Sequence, residues 1–259
     1  MKQFRTALLG ALLVAGAAMP AQAADLLYSG GSLKDGPYEG LSNAARVYLR
    51  GDIGYSLVGT PSVSEAAAWN NVSIKDNWIV SGGIGVYASP NWRFDATYDY
   101  QPEVNLKGTV IDPLPLSTGT RSMDIRSSVA LANVYYDINL ASSFAPYIGA
   151  GIGAAWNTSS NCSALTTDPV DTPLSTPPHD TSDASCTGAT KTNLAWALMA
   201  GFSSDMGEGL HFDLGYRYLN LGGAESGTLV DDTGTGHGVI SVGDIDEHQI
   251  RMGLRYDIF

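Results

Sequence analysis

The chain has 259 residues, a formal charge of −12 and only 15% charged residues, alongside 30 Gly and 13 Tyr. So acidic a balance argues against nucleic acid as a partner, because phosphate recognition rests on Lys and Arg. The Gly- and Tyr-rich, charge-poor composition fits many short strands better than long helices, and no His pair or Cys-x-x-Cys supplies a metal-ligand pattern.

Lys2 and Arg5 precede an apolar run from Ala7 to Met19, followed by Pro20 and the small-x-small triplet Ala21-Gln22-Ala23. Residues 1–23 are therefore expected to be a secretory signal peptide cleaved before Ala24, the run being shorter than the roughly 20 apolar residues a spanning helix needs. Cleavage leaves 236 residues at charge −14, a length at which an all-β barrel commonly forms one domain. In an exported chain the two Cys, Cys162 and Cys186, are expected to form one disulfide.

Residues 24–44 hold Gly, Pro and Ser without periodicity and read as a flexible leader; the barrel domain is expected over 45–259. The first strand, 46–57, alternates Val47, Leu49, Ile53, Tyr55 and Leu57 with Tyr48, Arg50, Asp52 and Ser56. After a polar loop at 58–76, a second strand at 77–88 turns through Ser89-Pro90-Asn91 into a third. This third strand, 92–101, sets Trp92, Phe94, Tyr98 and Tyr100 against Arg93, Asp95, Asp99 and Gln101.

Residues 102–122 read as a loop, since Pro102, Pro113 and Pro115 do not suit a central strand. The fourth strand, 123–138, is less regular, and a bulge near Ala132 is expected to flip its phase so that Arg126 faces inward and Asn133 avoids lipid. The fifth, 146–156, alternates Ile148, Ala150, Ile152 and Trp156 with small residues suited to a crowded interior. A long polar loop at 157–192 carries both Cys. Strands six (193–204) and seven (210–221), a Gly-rich acidic loop at 222–245 and strand eight (246–259) complete the series.

Long connections at 58–76, 102–122, 157–192 and 222–245 alternate with short ones at 89–91, 139–145 and 205–209. That rhythm, with strands of about 10 to 12 residues, predicts an all-β, eight-stranded antiparallel transmembrane β-barrel with short periplasmic turns and four long extracellular loops. Closure removes the open edges that a bilayer forbids. On this reading Trp92, Phe94, Tyr98 and Tyr100 face lipid.

The stretches Ala145-Pro-Tyr-Ile-Gly-Ala-Gly-Ile-Gly153, Leu131-Ala-Asn-Val-Tyr-Tyr-Asp137, Asp213-Leu-Gly-Tyr-Arg-Tyr218 and Arg255-Tyr-Asp-Ile-Phe259 resemble the small eight-stranded outer-membrane barrels typified by the OmpA transmembrane domain, opacity proteins and alphaproteobacterial surface antigens. The resemblance implies a bacterial outer-membrane location, contact with membrane lipid and lipopolysaccharide, and a part for Phe259 in the signal read by the barrel-insertion machinery. Asp257 stands where family endings usually carry an aromatic residue.

Inward positions carry Arg50, Arg93, Arg126, Arg217, Arg251 and Arg255, opposed by Asp52, Asp95, Asp99, Asp213 and Asp257. Eight strands enclose an interior just wide enough for side chains, so these charges are expected to interlock as a plug. The four His show no His-x-Ser arrangement, and the chain reads as no enzyme and without a cofactor. The expected role is structural and surface-interacting, contributing to envelope integrity and adhesion through the outer loops, with a host or surface ligand as partner. The alternatives are a narrow porin-like channel for small solutes and a lipid-modifying outer-membrane enzyme. Acidic residues of the outer loops, Asp168, Asp171, Asp180, Asp183, Glu225, Asp231, Asp232 and Asp244, are candidates for divalent cations.

Overall fold

The computed structural model describes residues 46–65, 69–113, 116–138, 144–167, 181–231 and 233–258. The expected signal peptide, the leader and Phe259 lie outside the described residues, as do Asp168, Asp171, Asp180, His179 and Asp232. In chain order the strands are β1 (Arg46–Val58), β2 (Val63–Ser64), β3 (Asn70–Ile74), β4 (Asn77–Tyr87), β5 (Trp92–Pro113), β6 (Leu116–Asp137), β7 (Phe144–Thr167), β8 (Thr181–Cys186), β9 (Ala189–Gly207), β10 (Leu210–Asn220), β11 (Ala224–Glu225), β12 (Leu229–Asp231), β13 (Ser241–Val242) and β14 (Asp246–Asp257). Eight of them, β1, β4, β5, β6, β7, β9, β10 and β14, form a closed antiparallel barrel, with β1 on β14 and β7 on β9 completing the circuit.

Alternation decides which face is which. Leu194 is 67% exposed, Trp78 63% and Ile250 60%, while their strand neighbours Ala195, Ile79 and Gln249 are buried. An apolar belt of this extent is a liability in water and the requirement in a bilayer. Trp92, Phe94, Tyr98 and Tyr100 all belong to it. Paired rings mark its two rims: Tyr55 with Trp78 and Trp196 with Tyr218, each at 5.3 Å, on the outer side, and Trp92 with Tyr136 at 5.1 Å on the periplasmic side. The β9–β10 turn is tight. Gly207, Glu208 and Gly209 all have positive φ, which is why two of the three are glycine.

The wall is not of even height. β1, β4, β10 and β14 have 11 to 13 residues, whereas β5, β6, β7 and β9 have 19 to 24. A tilted spanning strand needs only about 9–11 residues, so one side of the barrel rises well beyond the membrane as a sheet, flanked by β3 on β5 and by β8 and β12 beyond β7. Much of the expected loops at 102–122 and 157–192 is therefore strand. Pro102 is accommodated because the β5–β6 register shifts between Gln101 and Val104, where its missing N–H breaks no ladder bond, and Pro113 is the last residue of β5.

The fourth predicted strand needs a second correction. β6 keeps an unbroken register with β5 from Ser127 to Tyr136, and its irregularities lie at the Gln101–Val104 and Ser122–Asp124 steps, not near Ala132. Ile125, Val129, Leu131, Asn133, Tyr135 and Asp137 thus all point inward. Arg126 falls in the opposite phase with Ser128, Ala130 and Tyr136 and does not join the interior charges. The apolar inward positions cause no conflict, because Val129 and Leu131 belong to a buried apolar cluster with Ala155, Ala195, Ala197 and Leu219.

Outside the membrane the inner surface of the tall wall is covered. β11, β13 and β2 form a small sheet that ties the chain after β1 to the segment before β14. Val63, Trp69, Leu229, Ile240, Val242 and Ile245 from those segments are buried with Leu106, Met123 and Ala164 of the wall. Cys162 and Cys186 form a disulfide between directly opposed parts of β7 and β8.

Candidate functional site

From the periplasmic end upward, the barrel interior is a stack of guanidinium–carboxylate contacts. Arg93, 1% exposed, forks onto Asp137 through Nε to Oδ2 (2.6 Å) and Nη2 to Oδ1 (2.9 Å). Its guanidinium lies over the rings of Tyr135 at 4.7 Å and Tyr147 at 5.2 Å. Arg50 donates to both oxygens of Asp52 (3.0 and 2.7 Å) and to Asp95 (2.8 Å), which also accepts from Tyr48 Oη and Asn133 Nδ2. Arg217 and Arg251 share Asp99, and Arg251 lies 3.6 Å from Asp52. Arg255 donates to Ser203 Oγ and sits 3.5 Å from Asp213.

Small residues make room for this stack. A Cβ on Gly85 would stand 2.3 Å from the ring of Tyr48, and one on Gly215 2.3 Å from Tyr147 Oη. The cavity left among Arg50, Asp52, Tyr135, Tyr147, Asp213 and Arg217 is about 20 Å³, enough for roughly one water. At this level the lumen is filled with side chains.

Nine of the eleven residues assigned to an inward network from sequence come together here, and Arg126 and Asp257 do not. Two acids were missed. Asp137 follows from plain alternation along β6 once no bulge is placed there. Glu247 reads as part of the acidic rim but is 2% exposed and faces inward. Asp257 lies at the periplasmic rim, 3.5 Å from Arg46 and 3.3 Å from His211.

On the cell-surface side Glu225 pairs with Lys191 and Arg121 with Glu65 (2.9 Å). At the tip after β12, Asp231 accepts from Thr233 Oγ1 (2.7 Å), the Thr235 N–H (2.8 Å) and His237 Nε2 (2.7 Å). The Thr233 hydroxyl, then the His237 ring and the Thr235 amide, hold the Asp231 carboxyl well below the usual carboxylate range. The hydroxyl bonds the carboxylate and not the imidazole, so this trio lacks the nucleophile-to-base contact of acyl-transfer sites. Among the described residues no three His, Cys, Asp or Glu are grouped to hold a metal ion.

A closed eight-stranded barrel with a lipid-facing belt leaves few families open. The family described as "Outer membrane protein beta-barrel domain" matches residues 9–257. The chain belongs to that family. As an outer-membrane β-barrel it resides in the bacterial outer membrane with its belt against lipid. An uncharacterised protein of Brucella abortus is 28% identical over 253 residues, covering 81% of this chain and 84% of its own. A Rickettsia bellii protein described as a "Putative adhesin" is 26% identical, covering 82% and 87%. Among solved structures the barrel matches the outer membrane protein OprG from Pseudomonas aeruginosa with a TM-score of 0.51 at 14% identity, over 83% of this chain and 96% of that one. That likeness speaks to the fold alone.

Proposed function

We propose that this outer-membrane barrel is a non-catalytic structural and surface-interaction protein, whose filled lumen anchors a rigid outer sheet that meets a host or surface ligand. The reading is carried by the four strands of 19 to 24 residues that rise past the belt and are covered on their inner side by an apolar cap. A loop kept merely to close a barrel has no need of a buried core. The binding surface is the disulfide-joined β7–β8 region together with the loop after β10. The Rickettsia bellii relative's description as an adhesin supports the same reading. Export by a cleaved signal over residues 1–23, insertion through a machinery that reads Phe259, and contact of the outer rim with lipopolysaccharide complete the proposal.

Adherence of a non-adhesive bacterial host expressing the full barrel is compared with that of a host expressing a barrel whose β7–β8 region is replaced by a short turn. Retained insertion with lost adherence is expected. Equal adherence of the two, or discrete conductance steps from the full barrel in planar bilayers, overturns the proposal, the latter in favour of the channel reading.

A further inference from the structure

Arg126 is a charge that the barrel itself does not use. It points outward from β6 in phase with Ser128, Ala130 and Tyr136, and no ion pair or side-chain hydrogen bond among the described residues includes it. Two carboxylates share its side of the sheet and are engaged elsewhere. Asp124 accepts from the amides of Asn105 (2.8 Å) and Asn161 (3.0 Å), and Glu103 from Ser160 Oγ (3.3 Å). The height of Arg126 follows from the register. Val80 of β4 pairs with Tyr100 of β5, and Tyr100 with Ser128 of β6. One outward position above Val80 is Trp78, a ring of the outer rim, and one above Ser128 is Arg126. Arg126 therefore stands where the apolar belt gives way to lipid head groups.

The neighbouring strands carry hydroxyls at the same level. Thr158 of β7 lies directly across from Arg126 and Thr190 of β9 across from Thr158, their Oγ1 atoms 3.0 Å apart. Lys107, paired with Ser122, adds a second cation to this face, four residues above Arg126 in the β6 register, or roughly 13 Å by strand rise. The opposite side of the rim differs: it carries Asp244 and Asp246, with no Lys or Arg between Arg217 and Arg251. Beneath Arg126 the wall has a trough. β6 presents Ser128, Ala130 and Ala132 outward, with Tyr100 and Tyr98 of β5 on one side and Trp156 and Ile152 of β7 on the other. A column of small side chains one strand wide, bounded by large ones, has the shape that a saturated acyl chain fills by van der Waals contact.

An unpaired guanidinium with hydroxyl donors beside it and an acyl-wide trough below it matches one lipid chemistry, a phosphorylated sugar carrying acyl chains. The phosphate takes the guanidinium fork, the hydroxyls bond sugar or phosphate oxygens, and a chain lies along β6. A zwitterionic phospholipid carries its own ammonium beside its phosphate and gains less from Arg126. We infer that the outer face of β6 is a binding site for a phosphorylated glycolipid of the outer leaflet, with Arg126 on the phosphate and Thr158 and Thr190 on the sugar. This rests on the lipopolysaccharide contact proposed above and gives that contact its place in the fold.

The test titrates the full barrel, folded in maltoside micelles, with bisphosphorylated lipid A in the same detergent, while the backbone amides of residues 126, 158 and 190 are followed by NMR. EDTA is present throughout, so that a bridge of divalent cations through Glu103 or Asp124 does not stand in for the guanidinium. Saturable shifts on β6, β7 and β9 are expected. Arg126→Gln is expected to weaken the apparent affinity roughly fivefold or more and Thr158→Val roughly twofold, whereas Arg46→Gln at the periplasmic rim leaves it unchanged. Dephosphorylated lipid A and phosphatidylglycerol are expected to bind several-fold more weakly. Heat-modifiable gel mobility checks that each variant is folded; if Arg126→Gln fails to fold, Thr158→Val and the dephosphorylated lipid decide. Undiminished affinity in a folded Arg126→Gln barrel, equal affinity for the dephosphorylated lipid or for phosphatidylglycerol, or shifts confined to β10 and β14 overturn this site and leave the broader lipopolysaccharide contact standing. Absence of any saturable binding of lipid A removes both.

Discussion

Replacing Asp99 by Asn is the sharpest probe of the filled lumen. Asp99 is fully buried and is the shared acceptor of Arg217 and Arg251. The amide keeps its shape and removes its charge, and the two guanidiniums then differ in what remains to them. Arg251 keeps Asp52 at 3.6 Å and Ser81 Oγ, whereas Arg217 keeps only the neutral Gln249 Oε1 at 2.7 Å. Stranding one buried cation costs about 3–5 kcal/mol. Arg217→Met leaves Asp99 with Arg251 and removes charge-assisted bonds worth roughly 1.5–3 kcal/mol. The double variant Asp99→Asn/Arg217→Met removes both charges, so its loss falls below the sum of the singles by about 1–3 kcal/mol of coupling. Urea unfolding in phospholipid vesicles, followed by Trp fluorescence and extrapolated linearly, measures all three. A loss under about 1 kcal/mol for Asp99→Asn is what a hydrated, screened pair shows. That outcome, or strict additivity, would refute the plug and place water in the lumen.

Four further outcomes follow from the geometry. Arg126→Ala is expected to change barrel stability by less than about 0.5 kcal/mol, as surface substitutions do, while Arg93→Ala strands Asp137 and costs about 3–5 kcal/mol; the same urea titration compares them. Cys162→Ser removes a closure spanning a sequence separation of 24, worth roughly 3 kcal/mol in the chain-entropy account; faster proteolysis between β7 and β8 with unchanged heat-modifiable mobility is expected, and loss of that mobility would show that the disulfide holds the barrel itself. Leu229→Ala empties a fully buried cap position at about 2–5 kcal/mol, seen as faster amide exchange in residues 224–245 but not in the belt strands. Because the Asp231 carboxyl is depressed in the folded loop, its contribution is present above the unfolded value and is lost as pH falls through the lowered one; the Asp231 bonds to Thr233 and Thr235 should persist at pH 4.5 and be released only in stronger acid, as read from the two amide resonances.

The membrane half of the fold was legible because alternation is a direct consequence of strand geometry, and a bilayer punishes any break in it. Trp92, Phe94, Tyr98 and Tyr100 occupy the belt for that reason, and Arg93, Asp95 and Asp99 the interior. Misplacing Arg126 came from treating Val129 and Leu131 as lipid residues. Inside a narrow barrel an aliphatic side chain opposite Ala195 and Ala197 is equally well placed, and hydrophobicity alone does not say which greasy face is wet. The outer half was harder to read. Its Thr- and Ser-rich strands are polar on the solvent side and carry no lipid constraint, so β5 and β7 look like loops past Gln101 and Trp156. Glu247 was misread for a related reason: at the end of an acidic loop its charge suggests solvent, whereas strand parity puts it inside.

The uneven height of the wall explains why the cap exists at all. Within the membrane each strand of the barrel has its inner face opposed by the other seven, and the charge stack fills the space. Above it β1, β4, β10 and β14 have ended, so the inner face of β5, β6 and β7, with Leu106, Met123 and Ala164, meets nothing across the barrel. That surface must be covered or it becomes an open apolar sheet at the cell surface, with the edge-pairing hazard such sheets carry. Trp69, Leu229, Ile240 and Ile245 supply the cover, drawn from the two connections that leave the short strands, and β2, β11 and β13 join those connections to each other. Rigidity of the outer surface is therefore a consequence of strand length in β5 to β9. Changes at exposed cap positions alter what the surface presents without touching the anchor, while changes at the buried ones loosen the whole presenting face.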